Sequence, residues 1–190
     1  MSAGEDLFRR WCEPHRRYHT TAHLFAVLDG VDELADQAED AVAVRLAAWF
    51  HDAVYQGQPG ADEENSARLA EHVLPGLGWP PERVAEVARL VRLTADHAGI
   101  LAGDRNGAVL ADADLAVLAS DEPGYLNYAQ AIRQEYAQVP DQFFIAGRTQ
   151  ALTRLLESAP LYRTSIAQQR WTVAAELNMR AELERLGQNH

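Results

Sequence analysis

The chain contains no lysine and a single cysteine, Cys12, and these two shortages narrow the chemistry open to it. One thiol allows no intramolecular disulfide and no cysteine-built zinc cluster, so a metal site would have to be drawn from histidine and carboxylate. A lone thiol also suits a reducing compartment, and a cytoplasmic location is expected. Without lysine, every permanently charged basic side chain is an arginine, so a phosphate held by one meets a planar guanidinium fork. Positive charge is scarce as a whole: 17 basic against 28 acidic residues leave a formal net charge of −11. That balance speaks against the broad positive face needed for a nucleic-acid polymer or an anionic membrane, and neither is expected as a partner. Long apolar runs are missing as well. The densest patch, Leu46 to Phe50, falls far short of the ~20 residues that span a bilayer. The first residues, with Glu5, Asp6, Arg9 and Arg10, lack the apolar stretch of a secretory signal. Sustained period-two alternation is absent, which removes half-buried strands from consideration.

What the chain does have is helical spacing almost throughout. Patterns run from about His19 to Leu34, Glu39 to Val54, Pro81 to His97, Val109 to Ala119, Pro123 to Gln138, Asp141 to Ser158 and Ile166 to Leu186. The second is apolar on nearly every side, with only Arg45 interrupting, and so predicts a central buried helix to which Trp49 contributes core. Trp171 reads as core too. Gly57–Gly60 and Gly99–Gly107 read as loops, and Asp62 as the N-cap of a further helix. No repeat or linker divides the chain. The expectation is all-α: a single domain over 1–190, a compact bundle of about seven to nine helices.

Polar residues interrupt this apolar pattern at a few places. His19 and His23, four apart, would share a helix face. His51 and Asp52 close the apolar helix, and Ala111–Leu115 reads Ala-Asp-Ala-Asp-Leu, putting two carboxylates into an apolar segment. Ionised carboxylates enter such a segment when they are paired or bind metal. Two imidazoles and two carboxylates from three helices can form a mixed N/O site for one divalent ion, and such a set admits Mn, Fe, Co, Ni, Zn or Mg. Asp112 and Asp114 lie about 200° apart on a helix, so only one of them can face a given ion. Asp114 shares its face with Leu110, Val117 and Leu118. Glu63 lines up with the inward stripe Ala67, Ala70 and Leu74, which makes it a candidate to orient or deprotonate water, whereas Glu64 would pair with Arg68 in solvent. Thr94 and His97 prolong the stripe of Val84, Val87, Leu90 and Val91 and are candidate substrate contacts. Arg16 and Arg133 are candidate phosphate holders, although Arg133 with Glu135 reads more often as a surface ion pair. His72 reads as surface.

The ordered pattern His23 … His51-Asp52 … Asp114 resembles the metal-binding signature of the HD-domain phosphohydrolase superfamily. The flanking words Glu13-Pro-His-Arg-Arg-Tyr-His-Thr-Thr-Ala-His-Leu24, Ala48-Trp-Phe-His-Asp-Ala-Val-Tyr55, Asp62-Glu-Glu-Asn-Ser-Ala67 and Leu110-Ala-Asp-Ala-Asp-Leu115 are similar to one bacterial branch of it. Ile132-Arg-Gln-Glu-Tyr136 and Gly147-Arg148 resemble the same branch, so the likeness spans about 8–186. It implies an HD-type helical bundle in which His23, His51, Asp52 and Asp114 ligate one ion, leaving Asp112 as a cap or supporting group. Tyr18-His19-Thr-Thr-Ala-His23 further resembles the opening of the cyclic-nucleotide phosphodiesterase site, which implies that His19 protonates the leaving oxygen. The implied activity is metal-dependent hydrolysis of a phosphoester or phosphoanhydride in a small phosphorylated compound, a nucleotide foremost, by metal-activated water. In that scheme Glu63 or Asp52 orients the water, and Arg16 and His97 hold the non-reacting oxygens. Two alternatives carry different chemistry: a non-catalytic or regulatory nucleotide-binding HD protein, and a di-iron HD oxygenase, which would need further histidines such as His72 and His97.

Overall fold

The computed structural model describes residues 2–158 and 160–188, and among these there is no strand. Among the described residues nine α-helices follow one another: α1 (Ala3–Trp11), α2 (Thr21–Glu33), α3 (Ala41–Phe50), α4 (Ala61–Val73), α5 (Pro81–Leu93), α6 (Arg105–Asp114), α7 (Glu122–Glu135), α8 (Asp141–Glu157) and α9 (Ser165–Gly187). Short 3-10 turns stand at Ala35–Gln37, Pro75–Leu77, His97–Gly99 and Leu115–Ala119. Their apolar faces share one core that reaches from Leu7 to Met179.

Helix α3 lies at the centre, packed against α2, α4, α5 and α6, as its apolar sequence predicts. Trp49 and Trp171 pack against the core while remaining only partly buried; the fully buried tryptophan is Trp11, on a helix that the spacing analysis does not anticipate. Helix α1 is started by a capping box in which Ser2 and Glu5 each bond the other's backbone N–H. Its Trp11 indole donates to the Trp49 carbonyl, which ties α1 to the end of α3.

Caps account for the other departures from the expected boundaries. Thr20 is extended and caps α2 through the Ala22 N–H, so His19 precedes the helix instead of sharing a face with His23. Asp62 does not cap α4. Gly60 holds the cap position at φ 82°, its N–H bonded by Glu63, while the buried Asp62 carboxylate accepts the Gln56 and Gln58 N–H groups and closes the preceding loop. Asp104 caps α6 through the Gly107 N–H, so that helix begins well before Val109; past Asp114 it tightens into the 3-10 turn.

One close approach sets the geometry of the functional region. A Cβ added to Gly30 would stand 3.1 Å from the Ala113 Cβ and 3.2 Å from its Cα. Glycine here lets α2 meet α6 at backbone distance. Gly30 is seven residues, about two turns, beyond His23, and Ala113 adjoins Asp114, so this contact draws the two polar residues together.

Candidate metal centre

Helices α2, α3 and α6 pack on one another, and each contributes one polar side chain to a common point. His23 comes from the first turns of α2, His51 caps the C-terminus of α3, and Asp114 ends α6. One donor atom from each lies within 4.8 Å of the other two. His23 Nε2 is 3.2 Å from His51 Nε2 and 3.1 Å from Asp114 Oδ1, and His51 Nε2 is 3.6 Å from the same oxygen. Adjacent donors on one ion, with bonds of about 2.0–2.2 Å, stand roughly 3–3.5 Å apart. The His23–His51–Asp114 group could therefore hold a metal ion. Asp52, in the turn after α3, places Oδ2 3.1 Å from His51 Nε2 and 3.8 Å from His23 Nε2.

The supporting contacts fix these rings. His51 Nδ1 bonds the Ala48 carbonyl at 2.8 Å, which leaves Nε2 for the centre. Trp11 packs beneath both histidines, its ring centroid 5.4 Å from His51 and 6.3 Å from His23. His97 Nε2 lies 2.9 Å from Asp114 Oδ2, so it orients the carboxylate whose other oxygen faces His23. Asp112, two residues back and pointing the other way, accepts the backbone N–H groups of Arg163 and Thr164 and anchors the start of α9.

Burial and charge oppose one another at this cluster. Burial disfavours a charged His51, but the Asp52 and Asp114 carboxylates outweigh it and push its pKa up to about 9. Burial works against an ionised Asp52 as well, and the His51 and His19 charges beside it hold its carboxyl well below the usual range. Asp114 is likewise held low, against burial, by its bonds to His23 and His97. His23 goes the other way, lowered by burial. The raised pKa favours the protonated form of His51, and a cation at this point would compete with that proton.

A second constellation adjoins the first. His19 Nε2 stands 3.9 Å from Asp52 Oδ2, and its Nδ1 is 2.6 Å from Glu135 Oε2. Glu135 reaches across from α7, its side chain 2% exposed. Its Oε1 accepts the N–H groups of Arg17, Tyr18 and His19, and Oε2 accepts the Tyr55 hydroxyl at 3.0 Å. The carboxylate resists burial and stays ionised, its pKa lowered to about 2 by the bond to His19 and these N–H donors. His19 responds in kind: burial pulls its pKa down, Asp52 and Glu135 pull harder, and the result is raised. Tyr55 stacks on the imidazole at 4.3 Å. Tyr18 packs on His23 at 4.7 Å and on His19 at 4.9 Å, and its buried hydroxyl has no hydrogen-bond partner. A buried orphan hydroxyl next to the cluster is what a site that holds a ligand oxygen would leave in the empty chain.

Several residues expected at the site have other work. Arg16 is buried with all five N–H groups engaged, on Glu13 and on the carbonyls of His19, Asp52 and Ala53. It cannot grip a phosphate; it clamps the two loops that carry His19 and Asp52. Arg133 closes the end of α7 by bonding the Tyr136 and Val139 carbonyls and Asp141, not Glu135. Thr94 donates its hydroxyl to the Val91 carbonyl one turn back. Glu63 is engaged in the α4 cap described above, and His72 is exposed. Glu135, Tyr18, Tyr55 and Trp11 also surround the site, although none of them is a site candidate from the sequence. Glu135 alone left a signal: it continues the α7 stripe of Tyr125, Tyr128 and Ile132.

Comparison with known proteins finds no matching family model, no matching curated protein and no matching solved structure. The fold and site define an all-helical protein with a buried His/Asp centre able to hold a metal ion.

Proposed function

We propose that the chain is a metal-dependent phosphohydrolase of the HD type, acting on a phosphoester or phosphoanhydride of a small molecule such as a nucleotide. The observation that carries this reading is the meeting of His23 Nε2, His51 Nε2 and Asp114 Oδ1 beside two further groups, Asp52 and His19, suited to proton handling. An ion held by His23, His51 and Asp114, with Asp52 as the fourth ligand, would acidify a water and polarise a phosphoryl oxygen. The Asp52 and Glu135 carboxylates beside His19 raise its pKa and so favour the protonated form that a proton donor needs. Its Nδ1–H is held by Glu135, so the proton available for transfer is the one on Nε2, on the Asp52 side. In hydrolysis the water oxygen bonds to phosphorus as the bond to the leaving oxygen breaks. His19 Nε2–H passes its proton to that leaving oxygen, and Asp52, ionised at neutral pH, is placed to orient the water or take its proton. The Tyr18 hydroxyl is free to donate to a non-reacting phosphoryl oxygen.

The test is phosphate release from a broad nucleotide panel by purified protein with Mn, Co, Ni, Zn or Mg restored. Release that disappears in Asp52→Ala is expected. No release from any nucleotide with any of these ions would contradict the reading.

A further inference from the structure

His19 also lines a cavity of about 460 Å³, within the size range of small-molecule sites, whose wall includes none of His23, His51, Asp52 and Asp114. Helix α8 lines it with one face, Phe143, Phe144, Gly147, Arg148 and Ala151, spaced at single helical turns. Ile132, Tyr136 and Val139 also line it, and His19 links the cavity to the cluster, its Nε2 3.9 Å from Asp52 Oδ2. The walls are aromatic and aliphatic, and both charged side chains among them are already matched. Arg148 is held by Glu182 through two bonds, of 2.8 and 3.0 Å, and donates to the Tyr128 hydroxyl; His19 is matched by Glu135. Arg133 lies over the Phe144 ring, but its donors close the end of α7.

We infer that this cavity receives an uncharged aromatic group, the organic part of a phosphomonoester whose phosphorus lies on the cluster side of His19. The inference rests on the hydrolase reading for the position of the phosphorus, and on the cavity alone for the aromatic group. A cavity with no unmatched positive charge on its walls offers nothing to a polyphosphate tail or a second phosphate. It offers ring faces for stacking, and stacking tolerates different rings because each has a π-face. Because His19 lines the cavity and turns Nε2 toward Asp52, a bridging oxygen next to Nε2 would put the group that departs as the alcohol in the cavity. Gly147 and Ala151 would then set specificity, because their lack of bulk leaves the space open.

The test is equilibrium binding of adenosine, an uncharged aromatic nucleoside, to the full chain with and without Mn²⁺. A Cβ at Gly147 would meet no atom within 4 Å, so the side chain of Gly147→Leu starts in open space at the cavity wall. The exposed Ala151 allows Ala151→Phe as an independent second block. Adenosine should bind the wild-type chain even without metal, and each block should weaken it at least about tenfold while the thermal midpoint stays unchanged. No binding of adenosine, or equal binding to both blocked variants, would overturn the inference. The hydrolase reading is judged separately: adenosine binding lost in the blocked variants, with no phosphate released from AMP, leaves the cavity assignment standing and removes the hydrolase.

Discussion

The two walls that flank His19 are built differently. On one side α2, α3 and α6 each bury several apolar side chains, and His23 and His51 rise from that rigid floor almost wholly buried. On the other, the 17-residue α8 buries only Leu152 and leaves Phe143 63% exposed. Groups that must converge on one point within a few tenths of an ångström sit on helices locked by core packing, where rotamers are fixed. The wall that would meet the variable part of a ligand sits on a helix with one buried side chain. Under the proposed function, this contrast would put the chemistry on the more buried side and substrate selection on the more exposed one.

The largest effect should come from the rigid side. Asp114→Ala removes the carboxylate that faces both histidines, and divalent-metal affinity should fall at least about 100-fold, read by competition with a chelating dye. Unchanged affinity would break the comparison at its strongest point. Glu135→Gln comes next. It keeps the shape but takes a negative charge from His19, so the His19 pKa should fall, as followed by NMR titration, and phosphate release near neutral pH should drop about 10–100-fold. The sign for stability follows from both partners. His19, raised in the folded chain, contributes fully below its ordinary value of 6.5, and that contribution is lost as pH rises through the raised value. Glu135, lowered to about 2 in the folded chain, contributes above its ordinary value of 4.5 and is lost as pH falls toward 2. The stability deficit of Glu135→Gln should therefore be greatest between roughly pH 4.5 and 6.5 and shrink to either side.

Gly30→Val tests whether the α2–α6 approach is as tight as it reads. It adds two methyl groups beyond a Cβ already 3.1 Å from Ala113, and a destabilisation of about 1–3 kcal/mol is expected in urea unfolding. The smallest effect belongs to the opposite wall. Phe143→Ser should change unfolding free energy by no more than about 0.5 kcal/mol, and a larger loss would show that α8 is held more firmly than its exposure implies.

Legibility in the sequence divides along the same line. His23, His51 and Asp114 stand out because each is a polar residue in an apolar helical stretch, where only a partner or a metal makes burial tolerable. The face argument likewise separates Asp114 from Asp112, which the structure shows bound to the start of α9. Helical spacing without alternation made the all-α class plain. The misplaced residues are those whose roles depend on what a distant loop or helix brings to them. Arg16 looks like a free fork until the carbonyls of Asp52 and Ala53 arrive from the end of α3. Glu135 looks like a surface partner of Arg133 until α7 docks against the loop of residues 17–19. Local periodicity says which face turns inward; it does not say what waits there.

The central claim is that His23, His51 and Asp114 hold one divalent ion. Titrating Mn²⁺ into the metal-free chain while following the histidine ring signals by NMR tests it most directly. The account predicts that the His23 and His51 signals broaden first and are lost by one equivalent per chain, while the exposed His72 stays sharp at that point. Broadening of all histidines together, or none at His23 and His51 until a large excess, would contradict it.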